Sequence, residues 1–168
     1  MDAISRVTVR PARAEDVDML TRFSAAMARE TEGRTLDVHR LRAGTAAVLA
    51  APERGFYLVA EIPGDTSRPA EVVGQLLVTF EWSDWRNATF WWIQSVYVAP
   101  AWRRRGIYRT MHQTVLAQAR ARRDVCGIRL YVEKNNRTGQ VVYRQVGLTR
   151  TDYEVWETDF VLRKETVD

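Results

Sequence analysis

The chain has 168 residues, of which 46% are hydrophobic and 27% charged; this is globular composition for one domain and excludes intrinsic disorder. Its net charge is only +4, yet the stretch from Pro100 to Arg129 holds eight arginines and one acid, Asp124, for +7, while the other 17 basic and 20 acidic residues give −3. A single cysteine, Cys126, and two distant histidines, His39 and His112, exclude a disulfide and argue against a metal site. No apolar run approaches the roughly 18 residues of a membrane span, and the polar start MDAISRVTVR is unlike a secretory signal.

In chain order, Val7–Arg10 is a β-branched run closed by Pro11, hence a strand. From Ala14 the apolar residues Val17, Leu20, Phe23 and Met27 recur at helical spacing. Asp37 is a ready N-cap for a second helix through Leu41, Ala46 and Leu49. Residues 56–62, 71–80 and 90–98 read as strands, the last apolar on both faces as in a central strand. Residues 63–69, rich in Pro, Gly and Ser, read as a hairpin loop. After Pro100 comes an arginine-rich turn, then a helix from Gly106 whose Ile107, Met111, Val115 and Ala119 share a face. Ile128, Leu130 and Val132 alternate with polar neighbours as in a strand. Asn135-Asn136 opens a helix through Tyr143, Gly147 ends it, and Tyr153–Leu162 is expected to be a last strand.

The informative stretch is Val96-Tyr97-Val98-Ala99-Pro100 followed by Ala101-Trp102-Arg103-Arg104-Arg105-Gly106-Ile107-Tyr108-Arg109. A strand ending in proline, a tight basic loop and a glycine-initiated helix aim free backbone N–H groups and the positive end of a helix dipole at one spot, which suits phosphate. Gly106 lets the backbone approach a pyrophosphate closely, and the arginines add charge-assisted contacts.

At these residues the sequence resembles the GCN5-related N-acetyltransferase family, whose acetyl-CoA loop runs Arg/Gln-x-x-Gly-x-Gly/Ala after a Val-x-Val-x-Pro strand end. Arg103, Gly106 and Tyr108 fall on the motif positions; Tyr108 departs from Gly or Ala, and Arg104 stands where Gly is frequent. Residues 136–148 resemble the family's Asn-x-x-Ala-x-x-x-Tyr-x-x-x-Gly-Phe helix, with Gly139 for Ala and Leu148 for Phe. The resemblance covers about a third of the chain. It implies one N-acetyltransferase domain over residues 1–168 with an α+β, three-layer fold. Its sheet would be mixed, mostly antiparallel and twisted, with six to seven strands, about four flanking helices and splayed central strands.

The resemblance further implies acetyl transfer from acetyl-CoA to a primary amine of a small molecule or peptide. Coenzyme A would be held by Val96, Tyr97 and Val98 along the strand edge, by Arg103, Arg104, Arg105, Gly106, Ile107, Tyr108 and Arg109 in the loop, and by Asn136 and Tyr143. A backbone N–H near Val96 would polarise the carbonyl. Tyr143, with an ordinary pKa of about 10, is the candidate donor to the thiolate. Glu81 and Asp84 are the candidate bases. Glu30 and Glu32, with Trp82 and Trp85, are the candidate acceptor pocket, carboxylates and aromatic faces both favouring an ammonium group. No metal, nucleic acid or membrane partner is expected, the setting is expected to be cytoplasmic, and the family's frequent dimers allow a homodimer.

Two other classes compete. An acyl-CoA sensor on the same fold would bind coenzyme A without acetylating any amine. A nucleic-acid module would use the basic segment Arg103–Arg123, but much of that charge lies in a tight turn with no stacking aromatics interleaved. A steep salt dependence of DNA binding would favour the module.

Overall fold

The computed structural model describes residues 7–162. Five strands form one sheet in sequence order: β1 (Thr8–Pro11), β2 (Phe56–Ile62), β3 (Glu71–Ser83), β4 (Ala88–Val98) and β5 (Val125–Leu130). β1 to β4 are an antiparallel run, and β5 lies parallel to β4. A parallel partner needs a crossover, supplied by α3 (Ile107–Arg120). Helices α1 (Val17–Glu32) and α2 (Val38–Ala50) precede β2, and α4 (Arg137–Gln145) follows β5.

Strand alternation sorts the core into two layers. Leu58, Ala60 and Ile62 of β2 join Val73, Val78, Trp91 and Ile93 against Ile107, Met111, Val115 and Ala119 of α3. Tyr57, Val59 and Leu77 point the other way and pack on Leu20 of α1. The one-face spacing read from the sequence is thus the face α3 buries, with Ile107, Met111 and Val115 each contributing about 1.5–3 kcal/mol and Ala119 less. Arg10 of β1 bridges Asp16 at 2.8 Å and Glu61 of β2 at 2.7 Å, tying the first strand to the start of α1.

The mixed, mostly antiparallel sheet and four helices match the expected fold; the strand count does not. Residues 153–162 form no strand, and their large apolar side chains lie exposed. A period-two pattern makes a strand only where a neighbour supplies the backbone partners, and these residues have none among the described ones. Glu30 and Glu32 sit in the last turn of α1. His112 is buried, and its Nε2 has no partner among the described residues. Cys126 is half-buried on β5.

Candidate active site

The site begins with a defect in the β3–β4 ladder. Gln75 pairs with Tyr97 and Leu77 with Gln94, so Leu76 faces both Ser95 and Val96. This is a β-bulge, and Ser95 takes φ 50° to make it. Gln75, wholly buried, donates from Nε2 to the Ser95 carbonyl at 3.2 Å and to Ser24 Oγ of α1 at 2.9 Å. On its other side β4 pairs with β5 only from Thr89 to Ile93. Beyond Ile93 the two strands part, so Gln94–Val98 offers backbone groups to a wedge open at the end of the sheet.

The 103–109 loop follows directly at that end of β4. Pro100–Trp102 is a 3-10 turn, and Gly106, at φ 77°, caps α3 without any side-chain acceptor. The first capped donor is Thr110 N–H, to the Gly106 carbonyl at 3.0 Å, so the N–H groups of residues 107–109 lie in the uncapped first turn. A Cβ on Gly106 would meet nothing within 4 Å, so the space before the helix is open. Arg104 holds φ 63°, which accounts physically for glycine being frequent there in the motif. Arg104 and Arg109 form no ion pair with described residues, whereas Arg105 lies over the Trp102 ring at 5.0 Å.

Tyr108 turns towards α4. Its ring stands edge-on to Tyr143 at 5.6 Å and 5.9 Å from His112, and its buried hydroxyl has no partner. Burial pushes the Tyr143 phenol above its ordinary pKa; burial and then the neighbouring Tyr143 do the same for Tyr108. Both are therefore protonated at neutral pH. Asn136 caps α4, its Oδ1 accepting from Gly139 N–H at 2.8 Å. A Cβ at 139 would come 2.9 Å from the Asn136 amide, so the glycine that replaces alanine gives this cap its room.

The carboxylates are dispersed. Glu30 accepts from the Tyr97 hydroxyl at 2.7 Å and pairs with Arg103 at 2.6 Å, while the Arg103 guanidinium lies 5.2 Å from the Tyr97 ring centroid. The hydrogen bonds from Tyr97 and then Arg103 hold the Glu30 carboxyl below its ordinary pKa. Glu32 lies 3.9 Å from Arg34. Glu81 pairs with Arg129 at 2.8 Å and accepts from the Trp92 indole N–H. Arg129 covers the Phe90 ring at 3.6 Å, and Trp92 stacks on Tyr131 at 4.3 Å. Trp82, Asp84 and Trp85 lie at the β3–β4 hairpin, where Asp84 Oδ1 accepts from Trp85 N–H at 2.9 Å and its carbonyl from Asn87 N–H at 3.2 Å. Trp82 pairs with Thr89 and Glu30 contacts Tyr97, eight residues along β4, about 26 Å. The structure therefore separates Glu30 and Glu32 from Trp82 and Trp85 rather than joining them in one pocket.

Residues 21–148 match the model of the acetyltransferase (GNAT) family. The chain belongs to that family. A possible acetyltransferase from Clostridium difficile 630 is 35% identical with TM-score 0.83, over 93% of this chain and 99% of its own. A predicted acetyltransferase from Clostridium acetobutylicum, solved with acetyl-CoA, is 19% identical with TM-score 0.70, over 90% and 96% of the two chains. A ribosomal-protein-alanine N-acetyltransferase from Brucella melitensis biovar Abortus 2308 is 15% identical with TM-score 0.70, over 92% and 99%. The last two likenesses speak for the fold alone. No curated protein matches.

In this family member the 103–109 loop follows directly on the end of β4, and Tyr143 of α4 meets Tyr108, in the first turn of α3, at 5.6 Å. Among the described residues, no helix is long and apolar enough to cross a membrane, and no group of three His, Cys, Asp or Glu is placed to hold a metal ion. Sequence reading missed Gln75, Ser95 and Arg129. A glutamine inside the apolar run Val72–Val78 is the one signal that was available, since a buried amide needs partners.

Proposed function

We propose that this acetyltransferase, as one domain over residues 1–168, moves an acetyl group from acetyl-CoA directly to a primary amine of a small molecule or peptide. The observation that carries the reading is the bulged, unpaired end of β4 lying beside the uncapped first turn of α3. The residues fit the cofactor: the open space before Gly106 suits a pyrophosphate, Arg104 and Arg109 form no ion pair among the described residues and can meet its charge, and Gln94–Val98 has strand-like backbone for amide groups. Bound there, acetyl-CoA supplies an activated acetyl thioester.

The protein's own part is to bind, orient and handle protons. A backbone N–H near Val96, at the bulge, is the oxyanion donor of this reading. Tyr143, neutral and backed by the Tyr108 ring, gives its proton to the departing thiolate. Glu81 is the remaining candidate base; its side chain sits beside Trp92, about 10 Å short of the bulge, so it takes the amine proton through water. Asp84, the other candidate, accepts from Trp85 N–H in the hairpin turn and lies further from the bulge than Glu81. Alignment of the two reactants supplies much of the rate.

An amine panel assayed for released coenzyme A thiol, with thermal stabilisation by acetyl-CoA measured in parallel, tests the proposal. Stabilisation with turnover of at least one amine supports it. Stabilisation with no turnover across the panel would show a sensor instead.

A further inference from the structure

The helix that carries Tyr143 is lightly held. None of the nine residues of α4 is fully buried. Its Arg137 and Arg144 form no ion pair among the described residues. Its side-chain hydrogen bonds stay local: Gln140 Nε2 donates to the Lys134 carbonyl at 2.8 Å, and Arg144 Nε to the Gln140 carbonyl at 3.2 Å. A helix this short is marginal alone and takes its order from packing. Across the chain, α4 meets α3 through rings. Tyr143 stands edge-on to Tyr108 at 5.6 Å, with the two planes at 69°. Tyr108 lies in the first turn of α3, and one turn further His112 backs it at 5.9 Å. His112 is buried, so a line of three rings runs from the core side of α3 out to α4. Tyr108 is also the residue at which the loop departs from Gly or Ala, neither of which could supply a ring.

We infer that Tyr108 is the positioning residue of the proton donor: its ring docks α4 on the first turn of α3 and so holds Tyr143 in place for the departing thiolate. The role towards the thiolate rests on the proposed transfer reaction; the docking does not. Edge-to-face packing suits the task, because it fixes the plane and direction of a ring as well as its distance. Tyr108 exchanges no proton in this role. Its hydroxyl, which has no partner, is therefore dispensable, and its ring is not. The contact also gives the donor and the cofactor one support. The turn that presents the N–H groups of residues 107–109 is the turn from which Tyr108 reaches α4.

Hydrogen exchange reads the docking without any substrate. In Tyr108→Leu the amides of α4 should exchange at least about tenfold faster, while those of β2 and β3 keep their parent rates. Tyr143→Leu should free α4 to the same degree from the other side of the contact, whereas Tyr108→Phe and Tyr143→Phe, which keep the rings, should not. Kinetics read the positioning, with the panel amine that the parent turns over fastest as acceptor. Tyr108→Leu should lower kcat about tenfold or more while the coenzyme A dissociation constant by calorimetry stays within about threefold, and Tyr108→Phe should recover most of the loss. In a Tyr143→Phe background the same Leu change should cost less than about threefold further, because the proton it positions is already gone. Parent exchange rates in α4 of the two Leu variants, a Tyr108→Phe as slow as Tyr108→Leu, equal kcat losses in the two backgrounds, or a loss of affinity matching the loss of kcat each overturns the inference. If the parent turns over no amine, the transfer reading fails and the exchange rates still decide the docking.

Discussion

Gln75 Nε2 donates to the Ser95 carbonyl at 3.2 Å, so the bulge in β4 is held from β3 by a buried amide that also reaches Ser24 of α1. Its Oε1 has no partner, which makes the amide costly and its donor contacts the compensation. Gln75→Leu removes the donor without adding a polar group. We expect a stability loss of about 1–3 kcal/mol and a fall of about tenfold in kcat, read by thermal melts and steady-state kinetics. Lost stability with unchanged kcat would make Gln75 a packing residue only.

Tyr143→Phe keeps the ring that meets Tyr108 and removes the proton. General-acid groups contribute about 10²–10⁴-fold, so kcat should fall at least about 100-fold while coenzyme A affinity by calorimetry holds. Equal loss of both would mean that Tyr143 serves binding and not proton transfer.

Gly106→Ala separates strain from space. The φ of 77° costs a residue with a Cβ about 1–2 kcal/mol, and the new methyl enters the open volume before α3. A modest drop in melting temperature should accompany a rise of tenfold or more in the coenzyme A dissociation constant. An unchanged constant would move the pyrophosphate elsewhere.

The carboxylate of Glu30 occupies Arg103, which faces the loop. Glu30→Gln frees the guanidinium for a cofactor phosphate. Exposed pairs are worth about 0–1 kcal/mol, so coenzyme A should bind about two- to fivefold tighter, with the KM of the amine unmoved. A raised amine KM would return Glu30 to the acceptor pocket.

His112 gives the fold a pH dependence. Burial holds its imidazole below the ordinary pKa of 6.5, so the unfolded chain binds the proton more readily. Stability is therefore full above pH 6.5 and declines as the pH falls through that value, in the direction linkage requires. Melting temperatures from pH 8 to 5 should fall more steeply in the parent than in His112→Phe. Parallel curves would refute the assignment.

What could be read from residue order was what is local. The 103–109 loop and the Asn136 cap follow from a few adjacent residues, as does the four-residue spacing of Ile107, Met111, Val115 and Ala119 that α3 buries. What escaped joins distant positions. Arg129 meets Glu81 across 48 residues, and Gln75 meets Ser24 across 51. Tyr108 breaks the motif, and only the packing of α3 near α4 shows that its ring turns to Tyr143. Residues 153–162 carry strand-forming side chains, but a strand needs a neighbour's backbone, and the described residues supply none there.

The parallel pairing of β4 with β5 carries a kinetic meaning. β2 to β4 connect as consecutive antiparallel neighbours, whereas β5 docks only after the α3 crossover closes, and such non-local pairing is slow to form. The cofactor wedge thus lies on the seam between an early-forming and a late-forming part. Amide hydrogens of β5 and α4 should exchange through openings that leave β2 and β3 protected, and acetyl-CoA, if bound in the proposed wedge, should slow exchange at β5 and α4 more than in β2 to β4.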